Sequence, residues 1–156
     1  MALDRFFITQ AKDFEGKEVQ LSGWVYNKRA SGKKLGFLII RDGTGLMQTV
    51  LFRGECTDES FELFEKITQE SSVLVTGVLK KEPRSPGGYE MSVKKLELVT
   101  LAEPYPISLK DHGVEFLMEN RHLWIRSSKQ WAALRVRSET IRAIHDFFHN
   151  EGFVHF

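Results

Sequence analysis

The chain is 156 residues long, 42% hydrophobic and 28% charged, which suits one ordinary domain, or a small domain with part of a second, around a real core. Its 22 basic residues face 21 acidic ones for a formal charge of +1, so affinity for a polyanion has to come from local clusters of cations. A single cysteine, Cys56, excludes an intrachain disulfide framework and fits a reducing compartment.

The N-terminal stretch carries Asp4, Arg5, Lys12 and Asp13 where a secretory signal would be apolar. No segment approaches the roughly 20 continuous apolar residues of a membrane span, so no membrane partner and a cytoplasmic location are expected. From Lys17 to Arg29 the pattern is a strand: Val19, Leu21, Gly23 and Val25 share one face, and Gln20, Ser22, Trp24 and Tyr26 the other. Gly36–Arg41 and Leu46–Arg53 read as two more strands. They are joined by "RDGTG", whose Asp-Gly and Thr-Gly pairs supply positive-φ positions for a tight turn.

"CTDESFELFEKIT" then switches period. Phe61, Phe64 and Ile67 line one face of a short helix capped by Thr57 or Asp58, with Glu59, Glu62 and Glu65 turned to water. "SSVLVTGVLKK" and "GYEMSVKKLELVTL" are a fourth and a fifth strand, separated by the turn-rich "EPRSPGG". In the fifth, Tyr89, Met91 and Val93 are odd-numbered but Leu96 and Leu98 even-numbered. Side chains alternate with period two, so this slip of phase predicts a bulge near Lys94 and Lys95.

Five short strands with one helix between the third and fourth make a mainly β chain with the layout of an OB-fold, a partly open five-stranded barrel, here over residues 1–103. Pro104 and Pro106 then mark a hinge over residues 104–127. In residues 128–156 a long helix follows, with Trp131, Leu134, Ile141, Ile144 and Phe148 in one stripe, Ser128 as N-cap and Gly152 as stop. "GFVHF" has the look of a strand beginning. A stripe with no visible partner and a strand at the chain end lead to the expectation of a truncated second domain.

Motifs for bond-making chemistry are weak. In "HDFFH", His145 and His149 share a helix face, but Asp146 stands where a zinc protease has glutamate and a third ligand is missing, so no metal is expected. There is no G-x-S-x-G elbow, and "EPRSPGG" lacks the spacing of a phosphate-wrapping loop. The basic and aromatic groups say more. OB modules grip single strands with a positive groove and with rings under unstacked bases. Lys28, Arg29, Lys33 and Lys34 lie just before Phe37, while Lys80, Lys81 and Arg84 flank the other long turn. Gln48, an amide in an apolar strand, offers a donor and an acceptor to a base edge. Each has an ordinary alternative: Phe37 in the core, Gln48 on a wet strand face, the lysines in solvated loops.

"LSGWVYNKRASGKKLGFLIIRDGTGLMQTVLF" resembles the N-terminal anticodon-binding domain of the class II aspartyl-, asparaginyl- and lysyl-tRNA synthetases. "HGVEFLMENRHLWIRS" and the helix after it resemble the hinge and the start of the α+β catalytic domain of the asparaginyl members. The resemblance implies a uridine as middle anticodon base, with Phe37 stacking on it, Gln48 hydrogen-bonding it and Arg29 touching it. Lys28, Lys33, Lys34, Lys80 and Arg84 are the expected phosphate contacts. The long helix with "EGFVHF" resembles motif 1, which implies a homodimer through that region in the full-length enzyme. The sequence stops before that motif's closing proline and lacks motifs 2 and 3, which bind ATP; Arg137-Ser138-Glu139 is no substitute inside the helix. The resemblance therefore implies that the full-length enzyme uses ATP and Mg2+ to ligate asparagine to tRNA. This chain alone is expected to hold no catalytic residue and no cofactor, and to be inactive. An aspartyl or lysyl relative, or a free-standing OB protein that binds tRNA or single strands, are the alternatives.

Overall fold

A computed structural model describes residues 5–108 and 110–156; Asp4, counted above against a signal sequence, and Leu109 of the expected hinge lie outside them. Two compact units divide the chain, Met1–Tyr105 and Pro106–Phe156.

The first unit is a barrel of β1 (Glu18–Ser31), β2 (Leu35–Arg41), β3 (Leu46–Phe52), β4 (Ser72–Lys81) and β5 (Tyr89–Thr100). Their order is β1-β2-β3-β5-β4, and β4 pairs back onto β1. The barrel is closed where the sequence suggests a partly open one. All neighbours are antiparallel except β3 and β5, which run parallel over Gln48–Val50 and Glu90–Ser92. Period-two patterning does the sorting: Leu21, Val25, Leu38, Ile40, Leu51 and Met91 are completely buried, while the residues between them face out.

Helix α1 (Asp58–Lys66) follows β3 and packs on β5. Thr57 is its N-cap, its side chain accepting from the Ser60 amide. Phe61, Phe64 and Ile67 enter the core as the helical period requires. The Phe64 ring lies over Gly36 of β2, where a Cβ would come within 2.7 Å of a ring carbon. The predicted bulge is present: Thr76 pairs with Lys95 and Gly77 with Val93, which leaves Lys94 unpaired.

This unit also departs from the sequence reading in its first helix and in the turn between β2 and β3. A 3-10 helix at Ile8–Phe14, which the sequence pattern does not announce, brings Ile8 and Ala11 into the core. Asp42 fastens it, one carboxylate oxygen taking the Ile8 amide at 2.7 Å and the other the amides of Thr44 and Gly45 at 2.8 and 3.1 Å. In that same turn Gly43 has the expected positive φ of 89°, but Gly45 does not; its missing side chain makes room for Ile8 instead.

The second unit holds α2 (Val114–Glu119), α3 (Arg121–Trp124) and α4 (Ser128–Asn150), so the segment read as a hinge contains two short helices. Ser127, not Ser128, caps α4, accepting from the Gln130 amide. The α4 stripe of Trp131, Leu134, Ile141, Ile144 and Phe148 is exposed. "GFVHF" is not a strand. A lone extended segment has no ladder to satisfy its backbone, and the Phe153 amide turns back to the Phe148 carbonyl at 3.0 Å, with the two rings 5.4 Å apart. Among the described residues, no helix is long and apolar enough to cross a membrane.

Candidate nucleic-acid interface

The interface begins with an irregularity in β1. Val25 pairs with Ile40 but Asn27 with Ile39, so Tyr26 is an extra residue. A bulge of one residue reverses the facing of everything after it. Val25 points into the barrel, yet Asn27 and Arg29 join the outward phase, and Arg29 comes directly opposite Phe37 of β2. The Arg29 guanidinium lies over the half-buried Phe37 ring, 4.8 Å from its centroid.

Across the next strands the outward row continues. Ile39 stands opposite Gln48 of β3, Gln48 opposite Glu90 of β5, and Glu90 opposite Lys80 of β4. Phe37 faces Val50, two residues along β3 from Gln48, so ring and amide are diagonal neighbours on one surface. The Gln48 amide nitrogen donates to Ser85 Oγ and to Glu90 Oε2, each at 3.2 Å. The structure thus brings Arg29, Phe37 and Gln48 to one outer face, half-buried or exposed and not in the core.

Lys28 departs from its expected place among the phosphate contacts. The bulge turns it toward α1, opposite the buried Leu38. Its ammonium donates to the carbonyls of Phe64, Glu65 and Ile67 at 3.3, 3.3 and 2.8 Å. Three donors meet three acceptors at a helix C-terminus, where a cation is favoured, so Lys28 works as a cap. Burial pushes its amine below the usual lysine value. Lys33 and Lys34, in the β1–β2 turn, and Lys80 and Arg84, at the end of β4 and in the turn after it, are exposed. Arg41, on the outward phase with Phe37, is paired with Glu70 at 2.7 Å.

Sequence reasoning misses Glu90 and Ser85. Alternation places Glu90 on the outward phase of β5, but nothing local says that β5 runs beside β3. A cleft of about 520 Å³ is lined by residues of the Ile8–Phe14 helix, the turn into β3 and the turn into β5, among them Thr9, Lys12, Thr44, Leu46, Gly87 and Tyr89. Among the described residues no three His, Cys, Asp or Glu side chains gather to hold a metal ion. The His145 ring packs edge-on against His155, centroids 4.8 Å apart. Burial raises the thiol of Cys56 above its usual value.

Residues 19–99 match the tRNA anticodon family, described as an OB-fold nucleic acid binding domain. The chain belongs to that family. Similarity to known proteins extends beyond those residues. The asparagine–tRNA ligase of Pelotomaculum thermopropionicum is 51% identical over 152 residues, 97% of this chain and 35% of the ligase. That of Koribacter versatilis is 55% identical over 142 residues, 89% of this chain and 32% of the ligase. The chain spans about a third of the length of these curated relatives. Among solved structures, the asparaginyl-tRNA synthetase of Pyrococcus horikoshii, complexed with asparaginyl-adenylate, is 38% identical with a TM-score of 0.81, over 90% of this chain and 33% of that one. An aspartyl-tRNA synthetase from Entamoeba histolytica shares the fold, with a TM-score of 0.81 at 21% identity over 99% of this chain and 39% of that one.

Proposed function

We propose that this chain is the N-terminal, anticodon-reading part of an asparaginyl-tRNA synthetase. One observation carries the reading: a cation, a ring and an amide from three strands, Arg29, Phe37 and Gln48, lie together on one outer face of an OB barrel. Phe37 stacks under the middle anticodon base, a uridine; Gln48 and Arg29 read its polar edge. Lys33, Lys34, Lys80 and Arg84 attract the flanking phosphates, and the cleft beside Leu46 takes a neighbouring nucleotide. Stacking is sequence-tolerant, so the choice of base falls to the hydrogen-bonding pair.

The intact enzyme ligates asparagine to its tRNA in the cytoplasm, with ATP and Mg2+ acting in a class II α+β domain that residues 128–156 open. The exposed stripe of α4 is where two copies of that enzyme meet, supported by five large apolar side chains on one helix face. This chain alone reads tRNA and does not ligate it.

Titration of the chain with an asparagine-type anticodon stem-loop, and with the same stem closed so that its loop bases are paired, tests the reading. The open loop should bind at least about tenfold more tightly, because stacking needs splayed bases. Equal affinity would contradict it.

A further inference from the structure

The amide of Gln48 is held in one orientation, and the chemistry of its neighbours dictates which. Its nitrogen lies 3.2 Å from both Ser85 Oγ and Glu90 Oε2, and Ser85 Oγ lies 3.4 Å from that same carboxylate oxygen. A carboxylate only accepts hydrogen bonds, so the part of the amide that faces Glu90 has to be the NH2. Flipping it would set two oxygens against each other with no proton between them. Both N–H donors have takers, and the amide oxygen is the group left to meet a visitor.

The holding groups are themselves fixed. Ser85 is buried, its amide donates to the Glu82 carbonyl and its carbonyl accepts from the Gly88 amide, each at 2.9 Å. Glu90 is set beside Gln48 by the parallel pairing of β3 and β5, which joins residues 42 apart in sequence.

The geometry points to Glu90 and Ser85 as positioning residues that make Gln48 an obligatory hydrogen-bond acceptor, so that the site selects a base with an imino N–H on its Watson–Crick edge. The inference rests on Gln48 being the base reader. Uracil offers N3–H between two carbonyl oxygens; cytosine and adenine present a lone pair at the equivalent ring nitrogen and meet the amide oxygen unfavourably. Arg29, with donors only, suits the carbonyl oxygens that flank the uracil imino group. Guanine also has an imino N–H but places an amino group beside it, which faces the donors of Arg29.

The test uses the whole chain, by fluorescence anisotropy, with anticodon stem-loops carrying uridine, cytidine or an abasic site at the middle position. The wild type should prefer uridine to cytidine by about tenfold or more. Glu90→Gln offers a donor as well as an acceptor, so it frees the Gln48 amide to face either way. It should cut the preference, read as the ratio of uridine to cytidine affinity, to within about threefold. Any change in phosphate attraction from the lost charge is common to all three loops and is reported by the abasic one. Ser85→Ala should erode the preference in the same direction, and it decides the matter if Glu90→Gln does not fold. Retention of the full preference in the folded variants overturns the positioning role and leaves Gln48 as reader. Absence of any preference in the wild type overturns both.

Discussion

Arg29 and Phe37 stand directly opposite one another on β1 and β2, with the guanidinium carbon 4.8 Å from the ring centroid. On the proposed reading, an arriving base would meet a ring already attended by a cation and would exchange one stacking partner for another. Phe37→Ala should weaken binding of the anticodon loop by about 1–3 kcal/mol, whereas Phe37→Trp should keep it. Anisotropy titrations checked by a thermal melt decide this. Unchanged affinity in a folded Phe37→Ala variant would remove the ring from the interface.

The lysines should separate into two kinds. Lys28→Ala removes a cap from three carbonyls of α1 and should lower stability by about 1–2 kcal/mol, with little change in RNA affinity at temperatures where the variant is folded. Lys33→Ala and Lys34→Ala should leave the melt unchanged but flatten the slope of log affinity against log salt, by about 0.7 for each single-strand phosphate that is no longer neutralised.

Gly36 is a packing requirement. A Cβ there would press on the Phe64 ring at 2.7 Å, so Gly36→Ala should cost about 1–3 kcal/mol. Combined with Phe64→Leu the two losses should sum to more than the double variant shows, since the smaller side chain relieves the clash. Denaturant melts of the two singles and the double measure that coupling.

Glu70 combines a buried carboxylate, paired with Arg41 at 2.7 Å, and a backbone φ of 67° that disfavours a side chain. Glu70→Ala should cost about 3 kcal/mol by leaving a charge without its partner. Glu70→Gly loses the same ion pair but suits the backbone, and should be more stable than Glu70→Ala by about 1 kcal/mol. Equal midpoints for the two would argue against strain at this position.

Whether a structural event is legible in the sequence depends on whether it leaves an apolar mark. The bulge at Lys94 is visible because Met91 and Val93 lie on one phase and Leu96 on the other, all of them buried. The bulge at Tyr26 has the same physical consequence, but the residues after it, Asn27, Lys28 and Arg29, are all polar. No large apolar residue records the reversal, and Ala30, the small one that follows in β1, is exposed. For that reason the sequence sets Lys28 among the phosphate contacts although it faces α1. Arg29, Phe37 and Gln48 are legible as residue types, and their meeting follows from the barrel. Glu90 is not, because parallel pairing of β3 with β5 is a long-range event with no local signature. Ile8–Phe14 is too short for periodicity to mark, and "GFVHF" has strand-like residues with no strand to pair with.

The most direct measurement compares two asparagine-type anticodon stem-loops that differ only in the middle base, uridine or cytidine, against the wild-type chain and Gln48→Ala. The wild type should bind the uridine loop at least about tenfold more tightly, the worth of one well-made hydrogen-bonded base contact, and Gln48→Ala should bind both alike. Equal binding of the two loops by the wild type, or an undiminished preference in Gln48→Ala, would contradict the assignment of this face as the reader of the anticodon.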